Sequence, residues 1–144
     1  MIAKKPPMGW NSWNTFGDKI NEQLIKEMAD RIVEDGYRDL GYEYIIIDFG
    51  NDYADNRPFF LLSSIKIVIG NLSWWKLQHY VAFIAATEKE QSRKHWKFLG
   101  TVSSERTIRY MGKRMRTAIR PVPYEPDPFF LTGETMSFLQ ELLE

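Results

Sequence analysis

The residues with chemical potential in this chain form a few short clusters. Asp48, Asp52 and Asp55 put three carboxylates close together in sequence. Such a grouping suits acid–base work if two of them are held facing each other, and equally suits a solvated polar loop. Trp10 and Trp13 bracket Asn11-Ser12, and Trp74-Trp75 stand side by side. Aromatic side chains dominate buried area, so Trp10 and Trp13 read as core. The tryptophan pair reads either as a flat platform for a sugar or, for Trp74 at helical spacing with Leu77 and Val81, as core. Asp48 reads as the cap of the turn that follows it. His79 and His95 are the only histidines and have no partner ligands in sequence, so no metal site is expected. Arg106, Arg109, Lys113, Arg114, Arg116 and Arg120 recur at helical spacing, a pattern that fits phosphate contacts or an ordinary charged helix face.

The elements needed to position these residues are legible from pattern. Met8 to Trp13 alternates large and small residues and predicts a short strand. Asn14 to Ile20 is a loop. Asn21 is placed to cap a helix whose apolar face carries Leu24, Ile25, Met28, Ile32 and Val33, with Gly36 positioned to end it in the left-handed conformation. Tyr42 to Asp48 contains three consecutive isoleucines, the pattern of a strand buried on both faces of a parallel sheet. Strand, helix and strand at this spacing make a right-handed βαβ unit.

Beyond Asp48 the pattern changes. Gly50 to Pro58 is polar and turn-like, and 59–69 predicts a strand with Ile65, Ile67 and Ile69 alternating. Helices are expected over about 73–88, 104–120 and 132–143, capped at Ser73 and Ser104 in the first two. Lys89 to Lys97 reads as basic surface, and the four prolines of 121–128 as an extended linker. The domains expected are residues 1–50, a first βαβ unit, and 51–144, a mixed and mainly helical segment.

Two stretches carry a resemblance to a known family. Pro7-Met8-Gly9-Trp10-Asn11-Ser12-Trp13-Asn14-Thr15-Phe16-Gly17, followed by Ile20-Asn21-Glu22, resembles the first strand and loop of the α-galactosidase (melibiase-like) glycoside hydrolases. Asp35-Gly36-Tyr37-Arg38-Asp39-Leu40-Gly41-Tyr42-Glu43-Tyr44-Ile45-Ile46-Ile47-Asp48 resembles the approach to that family's second strand and the strand itself. The order and spacing agree over residues 6–48. The resemblance implies the start of a (β/α)₈ barrel, whose active site lies at the C-terminal ends of its strands. It also implies that Trp13 lines a sugar pocket and that Asp48 accepts hydrogen bonds from galactose hydroxyls. A galactoside is the ligand implied for the parent family, with no cofactor.

The resemblance stops at Phe49. The family continues with a second aspartate there, and Phe49 cannot accept a hydrogen bond. No Lys-Tyr-Asp motif of the kind that carries the family's nucleophile is found, so no catalytic residue is assigned. A complete barrel needs about 250 residues, against 144 here. The reading that follows is a truncated or rearranged α-galactosidase-like hydrolase, inactive as this chain. A frameshift or misjoined reading frame near codon 49 would produce such a pattern.

Charge separates the two parts further. Residues 1–57 hold 7 Lys+Arg against 11 Asp+Glu, a net of −4, while residues 58–144 hold 12 against 8, a net of +4. The alternative reading follows from that contrast: a non-enzymatic small α/β protein whose basic helix binds a partner or nucleic acid, although no recognised nucleic-acid motif accompanies it. With no cysteine, disulfides and thiolate metal sites are excluded. No apolar run is long enough to span a bilayer, and Met1 to Pro7 lacks an apolar signal core, so a cytoplasmic location is expected. An isolated βαβ unit exposes strand edges, so self-association is expected unless later segments shield them.

Overall fold

The computed structural model describes residues 8–11, 13–17, 19–50, 53–127 and 130–143. The chain is mixed α/β and divides into two compact units, residues 1–62 and 63–144.

The first unit opens with β1 (Met8–Asn11), a short helix α1 (Trp13–Phe16), the longer α2 (Glu22–Glu34) and β2 (Tyr42–Ile46). The two strands pair in parallel, with Trp10 opposite Ile45 and Asn11 opposite Ile46. Gly9 is required by this pairing, because a Cβ there would overlap the Tyr44 carbonyl oxygen. Asn21 caps α2 as its sequence predicts: its side-chain oxygen accepts the Leu24 amide at 2.9 Å. Gly36, at φ +76°, takes the left-handed conformation just past the helix end, donating to the Val33 carbonyl.

Three expectations for this unit need correction. Ile46 is 45% exposed and Val33 56% exposed, so β2 is not buried on both faces and the apolar stripe of α2 is only partly covered. The reason is that β2 has one strand neighbour among the described residues. The stretch after Gly50 is not a turn-rich loop leading into a strand over 59–69. Tyr53–Leu62 forms α3, with Pro58 inside it. Proline in a helix interior removes a backbone hydrogen bond. Here the helix is held by Phe60, which is buried with Tyr53 edge-on at 5.6 Å between ring centres.

The second unit alternates strand and helix: β3 (Ile67–Asn71), α4 (Leu77–Ala86), β4 (Lys97–Thr101), α5 (Glu105–Arg114), β5 (Ile119–Pro121) and α6 (Gly133–Leu143). The three strands form a parallel sheet in the order β3-β4-β5. The segment alternates strand and helix, with more of its residues in helices than in strands. The centre of the sheet is β4, where Phe98, Leu99 and Gly100 are all buried, the signature of a parallel strand covered on both faces. Leu99 packs with Phe138 and Leu142 of α6. On the other face Gly100 approaches Leu72, Ile108 and Ile119, and Gly70 lies under the ring of Tyr80, where a Cβ would overlap it. The Tyr80 hydroxyl donates to the Leu99 carbonyl at 3.0 Å, and burial raises its pKa.

Two boundaries in this unit differ from expectation. The helix read over 104–120 ends at Arg114, because the amides of Arg116 and Thr117 turn back to the Lys113 and Gly112 carbonyls and Arg116 adopts φ +50°. Ile119 and Arg120 then belong to β5. The helix read over 73–88 starts only at Leu77, and a turn held by Ser73 precedes it. Pro121 ends β5 rather than beginning a linker. It is tolerated because β5 is an edge strand. No described helix is long and apolar enough to cross a membrane.

Candidate functional site

Parallel pairing puts the C-terminal ends of β1 and β2 on the same edge. Since Asn11 lies opposite Ile46, Trp13 and Asp48 each follow two residues beyond a matched pair. Both positions therefore follow the C-terminal ends of the paired strands. Trp13 begins α1, and its side chain lies outside the described part, as does all of Ser12.

Asp48 is exposed, and its Oδ1 accepts the Gly50 amide at 2.8 Å. Gly50 has φ +56°, a conformation that costs glycine little. The aspartate thus organises its own turn, and its second carboxylate oxygen has no partner among the described residues. Such a carboxylate retains acceptor capacity for an external hydroxyl.

Phe49 points to a different task. Its ring meets Phe60 edge-on, with centroids 5.8 Å apart. The residue that follows Asp48 therefore anchors the small aromatic cluster of Phe49, Tyr53 and Phe60, a role that sequence pattern had not suggested. The signal was present in the spacing of Tyr53 and Phe60, two helical turns apart. Trp10 is half-buried, 5.9 Å from the Phe16 ring. Asp52 lies outside the described residues. Asp55 sits in the first turn of α3, where the helix dipole favours a negative charge.

Comparison with known proteins supports the same segment. The family described as Alpha galactosidase A matches residues 5–57. Residues 5–57 are similar to the start of α-galactosidase-family sequences. The Alpha-galactosidase A of Cellvibrio japonicus is 57% identical over 47 residues, which cover 33% of this chain and 12% of that protein. The Alpha-galactosidase of Cyamopsis tetragonoloba is 53% identical over 47 residues, covering 33% and 11%. The Alpha-N-acetylgalactosaminidase of Gallus gallus is 49% identical over 57 aligned residues, covering 33% and 14%. This chain thus spans only about an eighth of the length of these α-galactosidase-family relatives. No solved structure matches it at significant similarity.

Outside the family segment the sequence-derived candidates separate. Trp74 and Trp75 are 89% and 72% exposed. The expectation that Trp74 packs in the core fails, since it lies in the turn before α4 and the helical spacing to Leu77 does not apply. Tyr80 and Ile84 provide the buried face instead. The basic stretch 106–120 is not one surface. Arg109 pairs with Glu105 at 2.8 Å, and Arg120 leaves the helix altogether, pairing with Glu141 at 2.6 Å and lying over the Phe138 ring. A cavity of about 300 Å³ between α4 and α5 is lined by Val81, Ile84, Met111, Arg93, Arg114 and Arg116. Glu88, just past the end of α4, lines it as well, so both signs of charge face this space. His79 and His95 join no group of metal-binding type among the described residues.

Proposed function

We propose that residues 1–50 are the opening βαβ unit of an α-galactosidase-type (β/α)₈ barrel, retaining two elements of its sugar-binding edge. In this reading Trp13 offers an indole face to the apolar face of a galactoside, and Asp48 accepts hydrogen bonds from its hydroxyls. The observation that carries it is the parallel register, which sets positions 13 and 48 just past the same end of β1 and β2, together with the match over residues 5–57. Residues 58–144, beyond the matched segment, are read as a segment of different origin joined to that unit.

The same reading makes the chain a rearranged hydrolase segment that does not itself cleave α-galactosides. Retaining hydrolysis needs two carboxyl groups about 5–5.5 Å apart, one of them a nucleophile. The position after Asp48 is Phe49, turned toward Phe60. Binding a sugar through Trp13 and Asp48 alone gives uniform ground-state affinity, which does not raise the chemical rate.

The test is hydrolysis of a chromogenic α-galactoside by purified full chain, with galactose binding measured in parallel. The expected result is release indistinguishable from buffer, and weak galactose binding that Asp48→Ala removes. Robust galactose release, abolished by Asp48→Ala, overturns the reading.

A further inference from the structure

We propose that the cavity between α4 and α5 binds a small organic phosphate monoester, with the phosphate at Arg93 and Arg116 and the apolar body against Val81, Ile84 and Met111. The site lies within the second unit and does not depend on the reading of residues 1–50. Its centre is Arg93. An Nη2 N–H of Arg93 donates to the Thr117 hydroxyl at 2.8 Å, and the guanidinium carbon lies 4.9 Å from the centre of the Phe98 ring. Thr117 is buried and donates in turn to the Met115 carbonyl at 3.1 Å. The guanidinium is thus held from two sides before any ligand arrives. Its Nε is closed to solvent and has no acceptor among the described residues, and no described carboxylate pairs with the group. A guanidinium stays charged, and a charge drawn partly out of water is costly until an anion meets it.

The rest of the lining names the ligand class. Arg114 and Arg116 face the same space. Among the described residues the Arg116 side chain has no hydrogen bond or ion pair, and that of Arg114 meets only the Tyr110 hydroxyl, at 3.5 Å. Arg116 also takes φ +50° at a helix end where glycine is the usual residue. Against these three arginines stands Glu88, so the lining carries +3 and −1, a net of +2. A phosphate monoester brings about −1.5 to −2 at neutral pH with three acceptor oxygens, and guanidinium groups match its geometry. A carboxylate would offset about half of that charge. Val81, Ile84, Met111 and Met115 make the remaining wall apolar, and methionine adapts to irregular apolar shapes. A bare ion would leave that wall unused. At about 300 Å³ the space is at the small end of ligand pockets. A second space of about 340 Å³ shares Arg93, Arg116 and Glu88, and the Lys94 and Glu90 that it adds offset each other. The two arginines common to both spaces are the place for the phosphate.

The experiment titrates phenyl phosphate into the purified full chain by calorimetry, with inorganic phosphate, benzoate and phenol as separate arms. Phenyl phosphate should bind with a Kd of about 1 mM or tighter, and each of the other three at least about fivefold more weakly. Arg116→Gln, at an exposed position with no side-chain partner to lose, should weaken phenyl phosphate binding by about fivefold or more and leave the far-UV CD spectrum and urea midpoint unchanged. Glu88→Gln removes the opposing charge and should tighten binding by about twofold or more. Arg109→Gln is the control: it lies on the same helix but pairs with Glu105, and binding should not change. No saturable binding of phenyl phosphate overturns the proposal. So does inorganic phosphate or phenol binding as tightly as phenyl phosphate, since the site then recognises only one half of the ligand. Benzoate binding as tightly overturns the phosphate assignment. Equal losses in Arg109→Gln and Arg116→Gln, or weaker binding by Glu88→Gln, mean that surface charge alone attracts the anion, and they overturn it as well.

Discussion

The two units of this protein obey the same local rules and end with different interiors. Each begins a major helix with a side-chain cap, Asn21 to the Leu24 amide at 2.9 Å and Ser104 to the Thr107 amide at 3.2 Å. Each joins parallel strands through a helix. Yet ten of the eleven buried apolar side chains described belong to residues 63–144, and only Phe60 belongs to the first unit. A two-stranded ribbon offers two faces and two edges, and the helices of this unit leave Val33, Leu40 and Ile46 exposed. Three strands with α4 and α5 on one face and α6 on the other enclose β4 completely. The part of the chain with family similarity is thus the part that lacks a core. It carries Trp13 and Asp48, the residues proposed for a sugar-binding edge, while most of the described buried apolar side chains lie elsewhere.

The largest expected effect comes from separating the two regions. Residues 63–144 alone should unfold cooperatively on heating, followed by far-UV CD, because their core is internal. Residues 1–62 alone should show a broad, non-cooperative change. A sharp transition in the shorter fragment would break the comparison. Single substitutions sharpen it. Ile108 is 1% exposed, and full burial of such a side chain stabilises by about 1.5–3 kcal/mol. Ile108→Ala should cost about 2–5 kcal/mol once the cavity is included, measured as a lower urea midpoint. Ile46→Ala, at a half-exposed position, should change stability by about 0.5 kcal/mol or less.

The smallest effect concerns pH. Glu125 accepts the Thr132 amide and the Thr135 hydroxyl, each at 2.9 Å, and the amide bond leads in holding its pKa below 4.5. A depressed carboxylate contributes stability that is present above its unfolded pKa and is lost as pH falls through the folded value. The approach to α6 should therefore loosen in acid. Hydrogen exchange of the Thr132 and Thr135 amides should accelerate below pH 4.5 relative to residues of β4, and Glu125→Gln should flatten that difference. No change in relative exchange on acidification would remove Glu125 from the account.

What was legible before the structure was local. Asn21, Gly36 and Ser104 announced helix ends because a cap depends on a few neighbouring atoms. The family motifs were legible because each is a contiguous stretch, residues 7–17 and 35–48, in the family's order and spacing. In the second unit only residues 67–69 of β3 fell inside the expected strand, and β4 and β5 were not read as strands. Lys97-Phe98-Leu99-Gly100-Thr101 is short and carries a glycine, and it followed a basic stretch that read as surface. The α3 helix was missed because Pro58 argues against helix, and the aromatic cluster that offsets this is formed only when Phe49 and Phe60 meet.

The sequence by itself determined the cap chemistry, the βαβ order of the first unit and the residues that resemble a sugar-binding edge, since each is written in contiguous residues. Tertiary structure decided which isoleucines are buried, and it chose β4 rather than the triple-isoleucine strand as the covered one. It turned Phe49 toward Phe60 and took Arg120 from the basic helix to Glu141. Burial depends on how many layers surround a strand, and that number is a property of the assembled elements, which no single segment contains.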